Sequence, residues 1–202
     1  MGRMETAKSG KPTSILQPSK LLPKNTKVEV WDLIVRLCHW GLVLSFAAAY
    51  ISGDEWRGLH LFAGYATLIM IVLRLLWGIA GSKYARFSQF VKPLPVVAAY
   101  VRDVMNGRDV RNLGHNPAGG AMIIAMLVLL TALSVSGVLL TTDAFWGSEP
   151  MDMIHGALAD LTLFCIVVHV SGVVFTSIRT RENLILAMLS GRKRAPDNAD
   201  ID

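Results

Sequence analysis

The chain has 202 residues, 52% of them hydrophobic, and a mean hydropathy of +0.45, too apolar for an ordinary soluble domain and of a size for one membrane domain. Its net charge of +5 comes from 20 Lys and Arg against 15 Asp and Glu, distributed around hydrophobic stretches in a way that argues against nucleic acid. Cys38 and Cys165 both fall inside those stretches and read as small buried hydrophobes; with no CxxCH and no CxxC pair, covalent c-type haem is excluded and nothing suggests zinc or an iron–sulfur cluster.

Residues 1–27 are polar and lysine-bearing, with no apolar core or cleavage site of a signal peptide, and are expected as a disordered basic tail. A first membrane span is expected at about 31–52 and, after the short turn SGDEWRG, a second at about 58–80, which Gly78 and Gly81 help to end. The segment 82–116 is basic and broken by Pro93 and Pro95; within it VVAAYVRDVM suits an amphipathic helix on the membrane surface. Asn116-Pro117 is a helix start, with Asn capping and Pro in the first turn, and leads a third span to about residue 140. After the loop TTDAFWGSEPMD, a fourth span covers about 153–178. Residues 28–194 therefore read as one all-α, integral membrane four-helix bundle, and 195–202 as a second disordered tail. The five tryptophans (Trp31, Trp40, Trp56, Trp77 and Trp146) suit interfacial belts.

Of the Lys and Arg residues, only Arg57 lies in a loop joining spans one and two or three and four. Those two loops are instead acidic, with Asp54, Glu55, Asp143, Glu149 and Asp152. The positive-inside rule then puts both termini and the 82–116 loop in the cytoplasm of a bacterial inner membrane protein.

The fourth span carries His155 and His169, fourteen residues apart, so both fall within about 40° of one face and roughly 21 Å apart along the axis. Ionisable residues inside a membrane are costly and point to function. His39, toward the inner end of span one, matches His169 in depth; His60, at the outer start of span two, matches His155. Two imidazoles per level are too few for a structural zinc site but suit the two axial positions of haem iron, and filling both favours electron transfer over oxygen activation. The expected sites are an inner haem on His39 and His169 and an outer haem on His60 and His155. Each ligand should use its second ring nitrogen to bond a carbonyl or hydroxyl. Gly41, Gly64 and Gly172 lie where a porphyrin could approach the backbone, or where helices simply pack.

Haem propionates need cationic partners. Arg57 is the candidate at the outer haem; Arg36 and Arg74 could serve the inner haem or simply snorkel to the inner headgroups, with snorkelling put ahead for Arg74. His115 and Asp160 are left without an assigned role.

The stretches VEVWDLIVRLCHW, LHLFAGYATLIMIVLRLLWGIAGSKYARF, GHNPAGGAM, IHGALADLTLFCIVVHVSGV and RENLILAMLSGRK resemble the bacterial cytochrome b561 / Ni,Fe-hydrogenase b-type cytochrome family over roughly 28–194. The resemblance implies a four-helix bundle with two haem b on the same four histidines, exchanging electrons with quinone in a respiratory chain. It implies a redox partner such as a hydrogenase or a c-type cytochrome, which acidic outer loops would attract if it were basic. Two other readings stand beside it. One is a superoxide:quinone oxidoreductase working without a protein partner, which the acidic outer face disfavours; the other is a haem-free membrane anchor.

Overall fold

The computed structural model describes residues 26–53, 55–108, 111–196 and 200. Residues 1–25 of the expected first tail, Asp54 of the first acidic loop, and 197–199, 201 and 202 of the expected second tail lie outside the described residues.

Helix boundaries follow local chemistry. Strand β1 (Lys27–Glu29) leads to α1 (Leu33–Ser52), where the Asp32 carboxylate caps the first turn by accepting from the Val35 N–H at 2.9 Å. Helix α2 (Arg57–Ala80) closes when the Gly81 N–H reaches the Trp77 carbonyl. A 3₁₀ turn (Lys83–Ala85), the one-turn α3 (Phe87–Phe90) and α4 (Leu94–Met105) follow. Asn116 then caps α5 (Pro117–Leu139) by accepting from the Gly119 N–H at 2.6 Å. Helix α6 (Glu149–Thr180) ends at Arg181 in the left-handed region, and α7 (Leu184–Ser190) hands over to β2 (Arg192–Arg194).

Four of these helices, α1, α2, α5 and α6, are long and apolar enough to cross a membrane. At 32 residues α6 is about 48 Å long, so it overruns a hydrocarbon core of about 30 Å. Helix α1 packs on α2, α2 on α5 and α5 on α6, whereas α1 and α6 do not pack closely. Between them runs a seam along one side of the bundle. Phe46, Ile71, Leu130 and Leu133, with Leu158 and Ile166 against them, form the apolar centre that holds the other three pairs together.

The end of the bundle where α1 begins and α6 finishes is the terminal end; the other is the loop end. At the terminal end β1 and β2 pair antiparallel, Val28 opposite Lys193, and the Gly191 carbonyl accepts from the N–H groups of Val30 and Trp31. A second core of Val30, Trp31, Val35, Ala85 and Leu113 lies beneath this ribbon. The charged stretch 191–194 thus closes the fold, because its backbone finds a partner strand and the Lys193 side chain turns inward. Arg111 fastens the ribbon from the α4–α5 loop. It pairs with Glu182 at 3.0 Å and with Asp200, and donates to the Arg194 carbonyl at 2.8 Å. Burial works to raise the Glu182 carboxyl, but the Arg111 hydrogen bonds and the Arg194 N–H outweigh it and hold it below the usual carboxylate range.

Three expectations change here. Gly78 does not end α2; a Cβ there would strike the Phe87 ring, so it admits α3 against the helix. Trp31 is 5% exposed and Trp77 donates from Nε1 to Asp32 at 2.9 Å, so these two are packing residues, while Trp56 and Trp146 remain exposed. Arg74 does not snorkel: it is only 6% exposed.

Candidate functional site

At the loop end, a cleft opens between the helices. His60 and His155 line it together with Phe46, Tyr50, Gly64 and Gly137. The two imidazole centres are 6.1 Å apart, with ring planes at 73°, too steep for stacking. Each ring is held by one nitrogen. His60 Nδ1 lies 2.9 Å from the Ala49 carbonyl, an acceptor only, so Nδ1 carries the proton. His155 Nδ1 lies 2.9 Å from Ser136 Oγ, whose single proton goes to the Leu133 carbonyl, so again Nδ1–H donates. Both rings are therefore Nδ1–H tautomers, with the ring lone pair at Nε2. Gly137 makes this possible on α5, since a Cβ there would sit 3.0 Å from His155 Cε1.

The acceptors Ala49 and Ser136 and the small Gly137 were not anticipated from the sequence. A signal existed for the last two: Ser136-Gly137 is a small polar pair in an aliphatic helix, near the depth of His155.

At the terminal end, His39 and His169 lie in electrostatic range of one another across the seam. His39 Nδ1 is buried and has no hydrogen-bond partner among the described residues, unlike its counterparts at the loop end. His115 packs between the Trp31 ring (4.3 Å) and the Phe90 ring (4.7 Å), and its Nδ1 is also buried without a partner. Burial, and then the charges of Lys193 and Arg74, push the His115 pKa down to about 3. Lys193 is 6% exposed; it donates to the carbonyls of Leu113 (2.9 Å) and Gly114 (3.3 Å) over the face of Trp31, and burial lowers its pKa to about 8.

The arginines expected at the cofactors make contacts within the chain, and Arg36 Nε is buried without a hydrogen-bond partner among the described residues. Arg57 lies over the Trp146 ring at 5.0 Å and does not line the cleft. Arg36 donates from Nη1 to the Leu189 carbonyl at 2.7 Å and packs under the Gly191 turn. Asp160 accepts from the Tyr50 hydroxyl at 3.1 Å, bridging α6 to α1. The three glycines divide: a Cβ at Gly41 would strike Met70 Sδ at 2.8 Å, so it serves helix packing, whereas Gly64 and Gly172 have nothing within 4 Å.

A membrane-spanning helical bundle with two imidazoles lining one cleft beside the open Gly64 suits a b-type haem. Two metal–nitrogen bonds of about 2 Å each, with half an imidazole beyond each nitrogen, bring opposed ring centres to roughly 6 Å. The His60–His155 spacing fits that requirement. Among the described residues no three His, Cys, Asp or Glu side chains converge to hold a bare metal ion. The family model for prokaryotic cytochrome b561 matches residues 30–191, and the chain belongs to that family. It is a multi-pass membrane cytochrome that binds haem b and works in electron transfer. Compared with curated proteins, the chain matches none.

Proposed function

We propose that the chain carries two b haems, one at each end of the bundle, and passes electrons across a bacterial inner membrane between the quinone pool and a periplasmic redox protein. His60 and His155 hold the outer group and His39 and His169 the inner. Bound haem supplies a one-electron ferric–ferrous couple. The protein's part is geometric and dielectric. Ala49 and Ser136 fix the tautomers of His60 and His155, and the apolar walls of Phe46 and Leu133 keep water from the site. Two imidazoles at each level would hold the haem iron and suit it to electron transfer rather than to binding a substrate.

The observation that carries this reading is the pair of Nδ1–H groups committed to backbone and serine acceptors beside an open cleft. The distribution of charge supports cytoplasmic termini and an acidic outer face that would speed encounter with a basic c-type cytochrome. Quinone is placed near the inner haem, where the headgroup region gives access to protons.

A pyridine haemochrome assay with reduced-minus-oxidised spectra on the purified protein tests the core of it. Two low-spin b haems per chain are expected. One haem would mean that one histidine pair is wrong, and none would leave only an anchor.

A further inference from the structure

Arg74 is a buried cation in a membrane helix that faces aromatic rings and makes no ion pair among the described residues. The guanidinium carbon lies 5.3 Å from the Phe87 ring centre and 5.9 Å from that of Phe90. The side chain makes no hydrogen bond or ion pair among the described residues, and Nη1 is fully buried. Asp32 is the carboxylate in electrostatic range, but its oxygens already accept from the Val35 N–H, from Trp77 Nε1 and from the Ser82 hydroxyl. Lys193, the other deeply buried cation at this end, is committed to the Leu113 and Gly114 carbonyls.

A guanidinium does not escape by losing its proton, so a buried one needs an anion. Its planar fork matches a carboxylate or a phosphate, and of these the proposed haem supplies a carboxylate. Arg74 and His39 each lie about 9 Å along their helices from the terminal end, so they share one depth. His115, in electrostatic range of both Arg74 and His169, carries another unpartnered nitrogen in the same region.

We propose that Arg74 receives a propionate carboxylate of the haem held by His39 and His169, in the place where Arg36 was expected to serve. This rests on the two-haem reading. It assigns to Arg74 the part of a binding and positioning residue: it makes the terminal end selective for the free-acid form of the porphyrin. At the loop end no arginine or lysine among the described residues is buried, and no such selectivity arises there.

The test compares haem b with its dimethyl ester, in which both carboxylates are capped. Full-length protein loaded with either form is mixed with excess apomyoglobin, and haem transfer is followed in the Soret band. Of two phases, the one missing from H155A belongs to the loop end. In the wild type the ester is expected to leave the terminal end at least about tenfold faster than the free acid. R74M, an apolar replacement of similar length, should abolish that preference, and R74K should retain most of it. Equal release of acid and ester from the wild-type terminal end would overturn the inference without relying on any variant. So would a preference that survives R74M. A haem count other than two, read beforehand by pyridine haemochrome, would overturn the two-haem reading itself and the inference with it.

Discussion

At the loop end, His60 and His155 each give one ring nitrogen to an acceptor the protein supplies, and the rings stand 6.1 Å apart beside an open cleft. At the terminal end, His39 Nδ1, His115 Nδ1 and Arg74 Nη1 are buried with no such partner among the described residues. One end is organised by the chain alone. The other leaves buried polar atoms without a protein partner among the described residues, at a cost of about 1–3 kcal/mol each, which on the two-haem reading a bound group offsets. The difference separates two ways of building a cofactor site in a membrane: prior orientation of ligands, and stored demand for a counter-ion.

The strongest way to break the comparison is to delete a ligand at one end only. H155A should halve the haem per chain and spare the terminal end; H169A should do the reverse, with the surviving haem identified by its α-band in reduced-minus-oxidised spectra. An H155A protein that still carries two haems would mean the ends are not independent sites.

Replacing Ser136 by Ala removes the acceptor for His155 Nδ1–H and touches nothing at the terminal end. Losses of about 10- to 100-fold in affinity are usual when such an outer partner is removed. Haem transfer from the loop end should quicken on that scale, with the other phase unchanged.

Acid should act on the terminal end through His115. Its folded pKa is about 3 against an ordinary 6.5, so above pH 6.5 both folded and unfolded chains hold it neutral and nothing is lost. Below pH 6.5 the unfolded chain takes up a proton that the folded chain refuses, and stability falls by about 1.4 kcal/mol per pH unit toward pH 3. Denaturation midpoints at pH 7 and pH 5 should differ more in the wild type than in H115F.

The smallest effect sharpens the reading of the glycines. G41A pushes on Met70, whose flexible thioether can yield, and should cost about 1 kcal/mol in thermal unfolding. G64A meets open space and should leave the haem-free protein unchanged.

Much of this was legible in the sequence, for reasons that are local. Four runs of apolar residues announce four spans, Asn116-Pro117 announces the start of α5, and histidine depth can be counted once the spans are known. What was not legible depends on neighbours brought from far away. Ala49 offers its carbonyl to His60 only because α1 and α2 lie side by side, and no residue type marks a carbonyl as an acceptor. Lys27–Glu29 and Arg192–Arg194 look like solvated charge, and their pairing appears only when the chain ends meet. Arg74 resembles a residue that reaches for headgroups until Phe87 and Phe90 fold over it.

The ribbon of β1 and β2 also sets an order of assembly. Residues 192–194 leave the ribosome after all four spans, and until they do Trp31 lacks the Gly191 turn and Lys193 that cover it. The loop end is complete as soon as α6 has been inserted beside α2 and α5. During synthesis the chain therefore passes through a stage with one finished site and one open one, and the terminal end is sealed last.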